Sequence, residues 1–371
     1  MVNDKMVNSF DLALQRSKYK HLSDDEWHWF LQQVEGRERT ADKLPTFASI
    51  PDWWYPVRLS CEQCSSELAA RYKASLVESQ KSIVESHFAD LTGGYGVDTY
   101  FLSENFTHTD YVEQNTELCR IAAHNFANKP ISIHNTSAEE FLVSAGQYDL
   151  IFLDPARRDS HGGKVFRLED CTPNVVELLP TLLAHGRRLL LKLSPMLDLT
   201  QAVTSLPQTT WDVYIVAIKN EVKELILLSG GSGRITAIDL DKKDQSFTFT
   251  REEESNCPFN FHISPFTFLY EPNSAILKAG AYKLIAERFH LLKLDINTHL
   301  YSSDVLVPNF PGRVWRITEK QDLKQANVLC RNYPLTPDQL KKKLHLRDGG
   351  TAFVIGCRVA GKPTLFYAER V

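Results

Sequence analysis

The 371-residue sequence predicts an α/β protein: a parallel sheet that ends in an antiparallel pair of strands, with a helical region before it and an α+β region after it. Three observations predict this. Short apolar runs alternate with helix-period segments from about residue 86 to about 230, the rhythm of βαβ units. A glycine cluster, Gly93-Gly94-Tyr95-Gly96, follows the first of these runs and opens a helix. The last two runs, Trp211 to Ile218 and Glu224 to Leu228, are joined only by Lys219 to Lys223, too short a link for a parallel crossover.

Residues 1–85 read as a small helical domain. Trp27, Phe30, Leu31 and Val34 fall on one helical face, and Ser65 to Ile83 reads as another helix. An aromatic stretch, Pro51-Asp52-Trp53-Trp54-Tyr55-Pro56, lies between them. Residues 86–232 form the sheet domain, with strands expected over His87 to Leu91, Thr109 to Glu113, Ile131 to His134, Asp149 to Asp154 and Arg188 to Leu193. The intervening helices carry Leu118, Ile121, Ala122 and Phe126 on one face, a capping box at Ser137 and Glu140, and Pro173 in a first turn. The polar stretch Gly230 to Asn256 is expected to leave this domain as a linker, within a segment 233–308 that continues into a helix over Asn273 to Phe289. Residues 309–371 give a strand, a helix begun by Thr336, Pro337 and Gln339, and a hairpin turning at Gly361-Lys362.

The chemical signal is Asp90-Leu91-Thr92-Gly93-Gly94-Tyr95-Gly96-Val97-Asp98. Glycines there let the backbone turn sharply and approach a ligand that a Cβ would exclude. Glu113, seventeen residues after Gly96, sits at the tip of the second strand, where a nucleotide ribose is gripped through its hydroxyls. The third glycine of the dinucleotide fingerprint is missing, and Asp90 precedes the loop. A carboxylate there suits a cationic ligand better than a pyrophosphate. S-adenosylmethionine, with its ammonium and sulfonium, satisfies that sign.

The order of elements resembles a class I S-adenosylmethionine-dependent methyltransferase, a Rossmann-like fold whose last strand is antiparallel. Asp90-x-x-Gly93-Gly94-x-Gly96 resembles its first motif and Tyr111-Val112-Glu113-Gln114-Asn115 its second. Asn135 to Glu139 lies where the adenine-contacting motif falls, and Leu153-Asp154-Pro155-Ala156-Arg157 where the catalytic loop falls. More narrowly, "DLTGGYGVDT", "LDPARR", "YEPNSAILKAGAY" and "RNYPLTPDQLKKKLHLRDGG" resemble a bacterial methyltransferase family with an N-terminal helical region, a ferredoxin-like segment and a C-terminal THUMP-like domain. The resemblance implies cofactor contacts from Asp90, Gly93, Gly94, Gly96, Glu113, Ser137, Ala138 and Asp154. It implies catalytic roles for Asp154 and Arg157, the latter with Arg158 as a grip on phosphate or carbonyl.

Three departures bear on the substrate. Ser137 stands where many such enzymes have an aspartate for the adenine amino group. Asp-Pro-Ala-Arg lacks the aromatic platform of exocyclic-amine methyltransferases, and Lys192-Leu193-Ser194-Pro195 offers no cysteine for pyrimidine C5 chemistry. Cys61-x-x-Cys64 has no second pair to complete a metal site, so no metal is expected. The histidines show no metal-ligand spacing.

The composition, 43% hydrophobic and 24% charged with a net charge of −4, excludes a disordered, fibrous or uniformly basic chain. Seven scattered cysteines, no leader and no long apolar run lead us to expect a reduced, cytoplasmic protein without membrane contact. The charge is uneven. Residues 311–371 hold 12 Lys and Arg against 5 Asp and Glu, a balance of +7, which leaves −11 for the remainder. That basic end and the THUMP-like resemblance lead us to expect a structured RNA partner, tRNA or rRNA, rather than DNA. The alternatives are a methyltransferase acting on a protein or small molecule, and an inactive RNA-binding protein that retains the fold.

Overall fold

The apolar runs of residues 86–230 become strands whose ends fall within a few residues of those expected. The protein is described here as a computed structural model, covering residues 13–77, 85–157, 167–242, 246–258, 261, 266–320 and 322–371. The chain divides into two compact units.

The first unit runs to Thr209 and includes Leu227–Gly230. It begins with helices α1 (Asp24–Thr40), α2 (Pro45–Ser49), α3 (Arg58–Gln63) and α4 (Glu67–Leu76). Ser23 and Glu26 close a reciprocal capping box on α1. Strands and helices then alternate: β1 (His87–Asp90), α5 (Val97–Leu102), β2 (His108–Val112), α6 (Thr116–Asn125), β3 (Ile131–His134), α7 (Ala138–Val143) and β4 (Leu150–Leu153). Two short strands, β5 (Ala156–Arg157) and β6 (Cys171–Thr172), pair antiparallel before α8 (Val175–His185), β7 (Leu189–Leu193) and α9 (Leu199–Thr204). The parallel order is β7-β4-β1-β2-β3. β4 and the start of β7 are buried throughout, as strands covered on both faces must be.

Two helix starts differ from expectation. Ser137 caps α7 by accepting from Glu140 N, but the Glu140 carboxylate takes the Thr136 hydroxyl at 2.7 Å, so the box is half formed. Pro173 lies outside α8, because Asn174 is the cap and accepts from Val176 N and Glu177 N. The helical start of the chain shares one core with the sheet: Leu44, Phe47, Trp53, Tyr55 and Ala70 pack with Tyr95, Val97, Phe101 and Tyr111. Residues 13–77 therefore do not stand apart as a domain of their own.

The second unit holds Thr210–Ile226 and everything from Gly231 onward. β8 (Trp211–Ile218) and β9 (Glu221–Ser229) are neighbours in the sheet, joined by Lys219 and Asn220 alone, both at positive φ. The hairpin is thus tighter than the expected five-residue link. β9 continues from this unit into the first, where Ser229 Oγ accepts from Leu189 N at 2.7 Å. The stretch expected to be a linker instead forms β10 (Arg234–Asp239), β11 (Phe247–Thr250) and α10 (Arg251–Asn256). β10 runs parallel to β8 and buries Ile235 and Ala237 on alternate positions. The expected helix over Asn273 to Phe289 is two: α11 (Ser274–Ala279) stops at Gly280, φ 80°, and α12 (Leu284–Arg288) restarts.

A second, seven-stranded sheet follows, built from β12 (Phe268–Pro272), β13 (Leu292–Asp295), β14 (Thr298–Ser303), β15 (Gly312–Thr318), β16 (Asn327–Arg331), β17 (Ala352–Val359) and β18 (Lys362–Arg370). Its order is β13-β14-β12-β15-β18-β17-β16. Helix α13 (Pro337–Leu344) has the expected capping box at Thr336 and Gln339 and buries Leu340. The terminal hairpin turns at Ala360-Gly361, one residue earlier than expected. All seven cysteines are free thiols. Among the described residues no helix is long and apolar enough to cross a membrane.

Candidate active site

Within the first unit the carboxyl ends of β1, β2 and β4 open onto a cavity of about 490 Å³. Asp90, Gly93, Gly94, Gly96, Glu113, Ser137, Ala138 and Asp154 all line it. The glycine loop closes as a tight turn, Gly96 N donating to Gly93 O at 2.8 Å, with Gly94 at φ 54° and Gly96 at φ 81°. Two of its glycines are required by packing. A Cβ on Gly93 would stand 2.2 Å from the Tyr111 ring, and one on Gly96 2.5 Å from the Phe126 ring. The third is different: a Cβ on Gly94 would meet only Thr92 O, at 3.7 Å.

Glu113 is fixed at both carboxylate oxygens, accepting from Gly94 N at 2.9 Å and Asn115 N at 2.8 Å. The Tyr111 hydroxyl donates to Gly94 O at 2.6 Å, so the tip of β2 and the loop after β1 hold each other. Asp90 is buried beneath the loop. It accepts from the Thr99 hydroxyl at 2.6 Å and from Thr92 N at 3.0 Å. Burial pushes its carboxyl up to about 7, with Asp98 and Asp154 adding in the same direction against those hydrogen bonds.

Asp154 stands at the mouth of β4. Its N–H donates to the Thr92 hydroxyl at 2.6 Å, and its side chain is 38% exposed. The surrounding protein raises its pKa, and the Lys192 ammonium, which donates to its carboxylate, works against that rise. Lys192 comes from β7 and also lies 4.0 Å from Asp98. Asp98, in the first turn of α5, is itself buried. Burial would raise its pKa, but the ammonium groups of Lys73 and Lys192 and the Ser65 hydroxyl overcome this and hold it below the usual range.

Sequence reasoning passed over Lys73, Ser65 and the partnership of Asp98. One signal was present: Lys73 falls on the apolar face of α4 with Ala69, Ala70 and Val77, where a charge needs a buried partner. Ser60, Gln63, Cys64 and Ser65 from the helical start of the chain also line the cavity. The Cys61 thiol is pushed up to about 12 by burial, and burial raises Cys64 too, so neither is a nucleophile. Arg157 lies on β5, while Arg158 and Asp159 fall outside the described residues. Ser194, which follows β7, accepts from Met196 N rather than lining the cavity. His124 stacks on Trp54 and His134 pairs with Asp110 at 2.6 Å, both roles in packing.

Comparison with known proteins adds names to this geometry. A ferredoxin-like domain family matches residues 268–311 and a THUMP domain-like family matches 312–370. The two matched segments meet within one sheet, where β12 pairs antiparallel with β15. The crystal structure of a "putative methyltransferase" from Porphyromonas gingivalis W83 is 31% identical, with a TM-score of 0.84 over 94% of this chain and 92% of that one. An uncharacterized S-adenosylmethionine-dependent methyltransferase of Mycobacterium tuberculosis (strain CDC 1551 / Oshkosh) is 23% identical over 355 residues, which is 90% of this chain and 94% of that protein. Its counterpart in strain ATCC 25618 / H37Rv matches with the same figures.

Proposed function

The chain belongs to the family of S-adenosylmethionine-dependent methyltransferases that carry ferredoxin-like and THUMP-like domains, and on that premise we propose that it methylates structured RNA, tRNA or rRNA, from the cavity of its first unit. It is an S-adenosylmethionine-dependent methyltransferase; the RNA and the residue roles are our reading.

The observation that carries the residue roles is the Gly94–Glu113 corner. A ligand can approach the Gly94 backbone because the place of its Cβ is open, and an oriented carboxylate stands beside it. The cofactor fits this donor set in sign as well, since the carboxylates of Glu113 and Asp154 line a cavity that must take a sulfonium and an ammonium. When bound, S-adenosylmethionine supplies a methyl group made electrophilic by its positive sulfur. Glu113 accepts from the ribose hydroxyls. Ser137 and Ala138, at the start of α7, face the adenine side. Asp154 takes a hydrogen bond from the N–H or O–H of the attacking group and orients its lone pair toward the methyl carbon. Lys192 favours the ionised form of Asp154 and holds the carboxylate in place while this happens. Arg157 is the proposed grip on a substrate phosphate or carbonyl.

RNA is supported by the THUMP-like match and by the +7 balance of residues 311–371 against −11 elsewhere. The test is transfer of tritiated methyl groups into total RNA and total protein from cells lacking the gene, followed by nucleoside mass spectrometry. Label in an RNA nucleoside is expected; label confined to protein or to small molecules overturns the RNA substrate.

A further inference from the structure

We propose that Lys73 and Asp98 are positioning residues for Asp154, acting through Lys192, so that the helical start of the chain is a working wall of the reaction centre. This rests on the reading of Asp154 given above. The observation is a run of alternating charges drawn from four segments. Lys73 of α4 is wholly buried, and its Nζ lies 2.9 Å from Asp98 Oδ1 and 3.0 Å from the Ser65 hydroxyl. That hydroxyl donates to Asp98 Oδ2 at 2.7 Å. Asp98 Oδ2 is 4.0 Å from Lys192 Nζ, and Lys192 donates to Asp154. The run therefore starts at a cation sealed from water and ends at its most exposed member, Asp154, with Asp98 and Lys192 between them nearly covered at the cavity wall.

Stability does not explain this arrangement. The desolvation of buried charges commonly offsets their attraction, and apolar residues of the same volume hold a core as well or better. Position does explain it. Lys192 is shared by two carboxylates, and Lys73 and Ser65 decide how much of the Asp98 charge is left to draw it away from Asp154. With Asp98 satisfied from behind, Lys192 stays on Asp154. The charged groups around Asp154 are Lys192, Asp98, Lys73 and Asp90, and the effect of each substitution follows from its sign.

The experiment follows the Asp154 carboxyl carbon by NMR across pH in the full chain with no cofactor added, the resonance assigned with Asp154→Asn. Lys73→Met leaves the Asp98 charge to compete for Lys192, and the Asp154 midpoint rises by about one unit. Asp98→Asn releases Lys192 to Asp154, and the midpoint falls by about the same amount. Shifts of opposite sign are a readout that loosened packing does not produce. Should either single variant fail to fold, Lys73→Met with Asp98→Asn removes the pair together and strands no charge. Its midpoint falls, because the Asp98 charge bears on Asp154 more than the Lys73 charge does. An unmoved midpoint in the folded double variant, or shifts of one sign in both single variants, overturns the proposal. Calorimetry with S-adenosylhomocysteine on the unaltered protein tests the cofactor site separately: a protein that binds it while Asp154 ignores both substitutions refutes the positioning role alone.

Discussion

Gly93 and Gly94 are adjacent, yet adding one methyl group to each has different consequences. At Gly93 the methyl carbon would stand 2.2 Å from the ring of Tyr111, where carbon atoms ordinarily rest about 3.5–4 Å apart. Tyr111 is fully buried in β2 and cannot retreat without losing the hydrogen bond from its hydroxyl to Gly94 O. Overpacking of this kind costs about 1–3 kcal/mol. The buried hydroxyl bond adds about 1 kcal/mol. A total of about 2–4 kcal/mol lowers the melting temperature of a unit this size by roughly 5–15 °C. At Gly94 the methyl would find only Thr92 O at 3.7 Å, and the protein loses only the cost of a left-handed φ for alanine, about 1–2 kcal/mol. The methyl instead takes space at the cavity wall, and S-adenosylhomocysteine binds roughly 5- to 150-fold more weakly for about 1–3 kcal/mol of crowding. Thermal melts and calorimetry on Gly93→Ala and Gly94→Ala measure both effects. A Gly93→Ala protein as stable as the parent, or a Gly94→Ala protein with unchanged affinity, refutes the assignment of the loop.

Three further outcomes follow from the same geometry. Glu113→Gln should weaken S-adenosylhomocysteine by about 1–3 kcal/mol, read by calorimetry, since an amide cannot keep both backbone donors and accept from both ribose hydroxyls. The Asp90 carboxyl, lifted to about 7 by burial, keeps its proton in the folded protein at pH values where the unfolded chain has lost it. Its contribution to stability is therefore full below about pH 4 and is lost as pH rises through 7, so Asp90→Asn should gain on the parent by on the order of 2 kcal/mol between pH 5 and pH 8 in thermal melts. Lys342→Glu with Lys343→Glu, both exposed on α13, should weaken RNA binding and lower the slope of log affinity against log salt by about 2, leaving S-adenosylhomocysteine affinity unchanged. Filter binding at several salt concentrations decides it.

The parts legible in the sequence are those written in local pattern. β4 is a continuous apolar run and β7 one broken only by Lys192, and such runs identify strands covered on both faces. The acidic residue at the tip of β2 was legible from its distance to the glycines. What escaped was set by partners remote in sequence. β10 and β11 lie in a stretch whose lysines, aspartates and glycines hide the alternation of Ile235, Ala237, Phe247 and Phe249. The break at Gly280 stays hidden because a single glycine inside a helical pattern is commonly tolerated. The Trp53 indole donates to the Tyr95 hydroxyl at 2.9 Å, tying the helical start of the chain to the glycine loop across 42 residues. Nothing local to either residue announces it. Asp98 escaped for the same reason, and Lys73, whose place on the apolar face of α4 signals burial, has nothing local to name Asp98 as its partner.

The most direct measurement is a crystal of this protein soaked with S-adenosylhomocysteine. The account predicts density in the cavity at the carboxyl ends of β1, β2 and β4, its ribose against Glu113 and its amino-acid end toward the glycine loop. A cavity without density at saturating ligand, or density anywhere else on the chain, would contradict it.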